Sequence, residues 1–181
     1  MNKIRKPCFS AGITLVELLV TIAVLAIAAT IAVPSLTDLI RSNRVTSQTN
    51  EFVAMLHLAR NDAIRRNPAE NQSVLVELDS GANAGGWRVF VRPPFLIPGE
   101  GEPQCPDGTI RCLDQRGVNI VLSGVDVIRF NNRGYLVNGA GALEPGATLD
   151  LRHVNCSTER HARRVTISAT GQVTTGPGNC D

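Results

Sequence analysis

Aromatic side chains are scarce in this sequence: one Trp, one Tyr and five Phe make up 4% of its 181 residues. Any core must therefore rely on Val, Leu, Ile and Ala. A real charge excess is missing too. Of 18 Lys and Arg residues, Lys3, Arg5 and Lys6 precede Gly12, leaving 15 against 16 Asp and Glu. That near-neutrality is not the profile of a general nucleic-acid binder. No G-x-S-x-G or P-loop spacing occurs, and Gly99-Glu100-Gly101 sits among prolines rather than between a strand and a helix. His57 has no catalytic partner in sequence. Glu77, Asp79, Glu100, Glu102 and Asp107 read as solvated charges rather than a calcium site. No C-x-x-C or H-x-x-x-H spacing supports a zinc site, and no repeat appears at solenoid periods. These absences argue against an enzyme, a metal centre and a cofactor.

What is present is a long apolar run. Ile13 to Val33 carries one charge, Glu17, and follows a short basic leader. As a helix it would measure about 30 Å, the thickness of a bilayer's hydrocarbon core. A conventional signal peptide is the rival, with Ala26-Ile27-Ala28 or Thr30-Ile31-Ala32 as its cleavage site. Against that reading stand the carboxylate and a helical pattern that runs past the supposed cut. Leu36, Leu39 and Ile40, then Val45, Thr49, Phe52, Leu56, Ala59 and Ala63, continue as one apolar face. Asn67-Pro68 ends it. One helix from about Ile13 to Arg66 is expected, bent at Pro34, where a backbone donor is missing.

The rest alternates in short strands: Ser73–Asp79, Trp87–Arg92, Val118–Leu122, Asp126–Asn131, Gly134–Val137, Leu149–Val154 and Arg163–Ser168. The five prolines between Pro93 and Gly108 predict a surface loop. The expected fold is α+β, with the helix packed on a C-terminal antiparallel sheet. Cys8 lies in the leader, which leaves Cys105, Cys112, Cys156 and Cys180 for two disulfides in an oxidising compartment. Three pairings are possible. Cys105–Cys112 and Cys156–Cys180, which close short loops, are favoured.

A cut between Gly12 and Ile13 would place a new amino terminus four residues from Glu17, on the same helical face. An uncompensated carboxylate in lipid costs roughly 2.5–3.5 kcal/mol. A neighbouring subunit's positive N-terminus would relieve that cost only in the correct stagger, so the charge would set assembly register. The rival is a Glu that snorkels to the interface. The leader ending in Gly12, then Ile13-Thr14-Leu15-Val16-Glu17-Leu18-Leu19 and an apolar helix to Pro34, resembles a type IV prepilin or pseudopilin. The resemblance implies a pilin-like fold with four segments: leader 1–12, filament-core helix 13–33, amphipathic helix 34–67 and β-rich domain 68–181. It implies cleavage by a prepilin peptidase between Gly12 and Ile13, N-methylation of Ile13, and assembly roles for Glu17 and Pro34. Ile13 departs from the usual Phe. The implied location is the inner membrane with an exported domain, then an extracellular or periplasmic filament.

Leu58 to Asn67, Gly86 to Val91, Ile128 to Gly134 and Arg164 to Gly171 resemble the GspH/FimT/FimU group. That resemblance implies a minor pilin that primes or joins assembly near the filament tip, supporting twitching motility, adhesion or DNA uptake. Its partners would be other minor pilins, the major pilin and the inner-membrane assembly platform. A pseudopilin of type II secretion is the alternative. Some members bind DNA through Gly-Arg-x-Arg; here the positions read Gly171-Gln172-Val173-Thr174, without either arginine. Arg152, His153, Arg160, His161, Arg163 and Arg164 cluster nearby, and Arg160, Arg163 and Arg164 are the candidate DNA contacts. On a strand, however, Arg163 and Arg164 would point apart. DNA is a possible partner, not the favoured one.

Overall fold

The structure is a computed structural model that describes residues 13–67, 74–79, 88–92, 110–114 and 120–180. One helix, α1, runs from Leu15 to Arg66 with Pro34 inside it. Thr14 caps it: its hydroxyl accepts the Glu17 N–H at 3.2 Å, and its carbonyl accepts the Leu18 N–H at 3.1 Å. Thr14 and Glu17 thus stand at the spacing of a capping box. At the other end Asn67 takes a left-handed backbone conformation (φ 45°) immediately before Pro68. Asn tolerates that geometry better than a branched residue, and Pro cannot extend the helix.

Two regions of the chain differ in burial. Up to Leu39 lies a helical segment whose best 18-residue stretch has a mean hydropathy of 2.5. None of that stretch is buried. The hydroxyls of Thr21, Thr30 and Thr37 donate back to the carbonyls of Leu18, Ile27 and Val33. These three hydroxyls in the apolar stretch are thus satisfied by their own helix.

From Ile40 onward the helix shares a compact region with two antiparallel sheets. The first contains β1 (Val74–Asp79), β2 (Arg88–Arg92), β3 (Arg111–Asp114), β5 (Val127–Phe130) and β6 (Leu136–Val137), in the order β3-β2-β1-β5-β6. The second contains β4 (Ile120–Ser123), β7 (Gly146–His153), β8 (Ala162–Ser168) and β9 (Val173–Pro177), in the order β4-β7-β8-β9. Val45, Phe52, Leu56, Ala59 and Ala63 of α1 join one core with Val74, Val76, Ile128 and Phe130 of the first sheet. Ile120, Leu149, Leu151, Val165 and Ile167 of the second sheet complete it. Inward residues alternate along β5 and β7 because successive strand side chains face opposite ways.

Three sequence expectations need correction. Leu36, Leu39 and Ile40 are 57%, 56% and 51% exposed, so the covered face of α1 begins at Val45. Strands β3 and β9 were not expected: RCLD is too short and mixed to show alternation, and VTTGP contains Gly and Pro, which disfavour strands. Both lie at sheet edges, where pairing on one side suffices. Strand β7 also begins three residues earlier than expected, at Gly146.

Candidate functional site

The N-terminal segment presents its features outward. Gly12 lies outside the described residues. Ile13 is 77% exposed, and Glu17 is exposed one turn into α1. Thr14 is the residue that sequence reading missed here, although Thr-x-x-Glu is legible in the chain. Pro34 has no N–H to offer the Thr30 carbonyl, yet α1 continues through it.

The basic candidates are dispersed by the sheet. Arg160 is exposed in a short 3-10 turn, Glu159–His161. Arg163 and Arg164 are half-buried, and the Arg163 guanidinium donates to the Ala162 carbonyl at 3.1 Å. Arg164 pairs across strands with Asp150, its Nε and a terminal nitrogen reaching the two carboxylate oxygens at 2.9 and 3.0 Å. This fork holds the Arg164 pKa above its ordinary value, chiefly through the hydrogen bond and then through the Asp150 charge.

His153 and His161 are buried, at 5% and 1% exposure. The Asn155 N–H donates to Nδ1 of His153 at 3.0 Å, and the Ser157 N–H to Nδ1 of His161 at 3.4 Å. Nδ1 of each ring is thus a hydrogen-bond acceptor. Burial holds the His153 pKa below its ordinary value of 6.5, reinforced by the positive charges of Arg41 and Arg44 and, least, by electrostatic interaction with His161. Arg152 bridges to the C-terminal segment through a 3.0 Å bond to the Cys180 carbonyl. Cys180 is disulfide-bonded to Cys156, with Cα atoms 5.4 Å apart. Cys112 is also disulfide-bonded; its expected partner, Cys105, lies outside the described residues.

A clasp that sequence reading missed joins the helix to both sheets. Nε of Arg60 donates to the Gly134 carbonyl, and a terminal nitrogen donates to the Thr170 carbonyl, both at 3.1 Å. The Leu136 N–H bonds the Ala169 carbonyl at 2.9 Å, tying β6 to the β8–β9 turn. The Asn131 side chain accepts the N–H groups of Arg133 and Tyr135, shaping the other turn. Asn132 donates to Asn67 at the helix end. Nearby, buried Asp62 pairs with Arg65 at 3.1 Å and with Arg66. These contacts give structural roles to the helix-end and turn motifs singled out in sequence. Among the described residues, no three His, Cys, Asp or Glu side chains gather as metal ligands.

A family model described as "Type II transport protein GspH" matches residues 48–171, more than two thirds of the chain. No curated protein matches it. Two solved structures are similar, both of the type IV minor pilin FimU from Pseudomonas aeruginosa strain PAO1, in different crystal forms. One is 17% identical, spans 75% of this chain and 90% of its own, and gives a TM-score of 0.49. For the other the identity is again 17%, the spans are 73% and 92%, and the TM-score is 0.47.

Proposed function

We infer function from one premise: the chain belongs to the GspH family. We propose that it is a minor pilin that primes or joins a type IV filament near its tip, with a structural role and no catalysis. The observation carrying this reading is the single helix Leu15–Arg66, apolar and exposed in its first half and buried along one face in its second. Such a helix suits a subunit that waits in a membrane and later packs against other helices. Cleavage after Gly12 would free Ile13 for methylation. Glu17, already exposed at the helix start, would then meet a neighbour's N-terminus. The inner membrane would hold the precursor with its domain exported, and the assembly platform would pass it to the other pilins. The test is the yield of surface pili sheared from cells lacking the chain. Severe loss restored by the intact gene supports priming, whereas normal piliation rejects it.

The description of the family model favours a second reading, a pseudopilin of type II secretion. Loss of an exported protein from the medium of the same deletion strain, with pili intact, would select it.

A further inference from the structure

Strands β5 and β6 and the start of β7 border a cavity of about 210 Å³. The first two belong to one sheet and β7 to the other, so the walls come from both. Val125, Val127, Leu136, Val137 and Ala147 give it apolar surface. Arg129 and Glu144 line it too, each half-buried. Among the described residues, neither side chain is hydrogen-bonded or ion-paired, not even to the other. The backbone that carries them is held in place. Arg129 pairs with Val137 across β5 and β6, and the Glu144 N–H donates to the Leu136 carbonyl at 3.0 Å. In the loop between, the Asn138 side chain accepts the N–H groups of Ala140 and Ala142 at 2.9 and 3.0 Å. The Arg129 guanidinium lies against this loop: a Cβ on Gly139 would stand 3.9 Å from its central carbon. A site held this way loses little freedom when it is filled.

We propose that this cavity binds a free aliphatic α-amino acid as its zwitterion. The planar fork of Arg129 donates to the carboxylate. Glu144 accepts from the ammonium, and the valine and leucine side chains cover the aliphatic chain. A few polar groups that fix orientation within apolar walls are the usual make-up of a small-molecule site. Volume limits the ligand, because sites for drug-sized molecules occupy roughly 300–1,000 Å³ and this one is smaller. Charge limits it further. A phosphate would meet Glu144 as a like charge, and a plain carboxylic acid would leave Glu144 without a cation. The site lies wholly within the region from Ile40 onward, and it stands apart from the filament and secretion readings above.

The test is an NMR titration of the full chain in detergent with L-leucine, read at the amides of residues 127–129 and 137–147. Saturable shifts confined to those segments are expected. Leucinamide lacks the carboxylate and N-acetyl-L-leucine lacks the ammonium. Each should bind about tenfold more weakly or worse, through loss of a charge-assisted hydrogen bond. R129Q should weaken L-leucine to the same degree yet leave leucinamide unchanged, and E144Q should do likewise for N-acetyl-L-leucine. Absence of saturable shifts, shifts centred elsewhere, or equal affinity for the three ligands overturns the proposal. That series on the unaltered chain decides the matter even where a variant fails to fold. Tighter binding of glycylglycyl-L-leucine than of L-leucine would assign the cavity to the carboxyl terminus of a polypeptide and overturn the free-amino-acid assignment.

Discussion

The carbonyl oxygen of Gly134 lies 2.1 Å from where a Cβ on Gly171 would stand. The turn after β5 and the turn after β8 therefore meet backbone to backbone, and Arg60 of the helix donates to both. Gly171 also adopts φ 73°, a left-handed conformation that side-chain-bearing residues rarely take. Gly171→Ala should destabilise the chain by about 2–4 kcal/mol through clash and strain together. Arg60→Ala should cost about 2 kcal/mol by leaving two carbonyls without their charged donor. Urea unfolding of the detergent-solubilised chain measures both; a smaller loss for Gly171→Ala than for Arg60→Ala would contradict the backbone contact.

The Cys156–Cys180 bond spans 24 residues of sequence. Closing a loop of that size restricts the unfolded chain by roughly 3 kcal/mol. The Cys156→Ser, Cys180→Ser double variant should lose about that much stability, read as a lower unfolding midpoint. An unchanged midpoint would show that the C-terminal segment is held by its other contacts, among them Arg152 to the Cys180 carbonyl.

Acidification should weaken the domain through His153. Its folded pKa is held below 6.5 by burial first, then by Arg41, Arg44 and His161. The unfolded chain then binds more protons than the folded one as pH falls below that value. The contribution is fully present above about pH 6.5 and declines as pH drops toward the folded pKa. Melting temperatures from pH 7.5 to 5 should fall, and His153→Gln should flatten the profile. A wild-type curve with no such slope would rule out this linkage.

Glu17→Ala should leave processing intact while incorporation into filaments falls. Mass spectrometry of the membrane fraction should find methylated Ile13 at the N-terminus in both wild type and variant. Equal incorporation would mean that the charge at Glu17 does not set assembly register.

The isolated chain should not retard duplex DNA in a gel at low salt. Arg164 is engaged by Asp150, Arg163 is turned toward its own backbone, and both neighbouring histidines are buried. Phosphate-driven binding scales with the number of cations that can reach the backbone. Salt-sensitive retardation that disappears in an Arg160→Ala, Arg163→Ala variant would reverse this expectation.

Local and periodic features were legible in the chain. The span and stop of α1 follow from its apolar spacing and from Asn67-Pro68. Val45, Thr49, Phe52, Leu56, Ala59 and Ala63, read as one face, are all buried. The Cys156–Cys180 bond is present as expected. Each of these depends on residues close in sequence, or on a repeat that the helix converts into a single side. Tertiary structure alone decided the rest. Strands β3 and β9 carry weak local preference and exist because a neighbouring strand supplies hydrogen bonds. The Arg60 clasp joins positions 74 and 110 residues apart, and only folding brings two turns to one guanidinium. His153 and His161 look like members of a basic surface in sequence. Packing instead buries both, because a side chain's charge and reach are written in its type, but its surroundings are set by which segments fold over it.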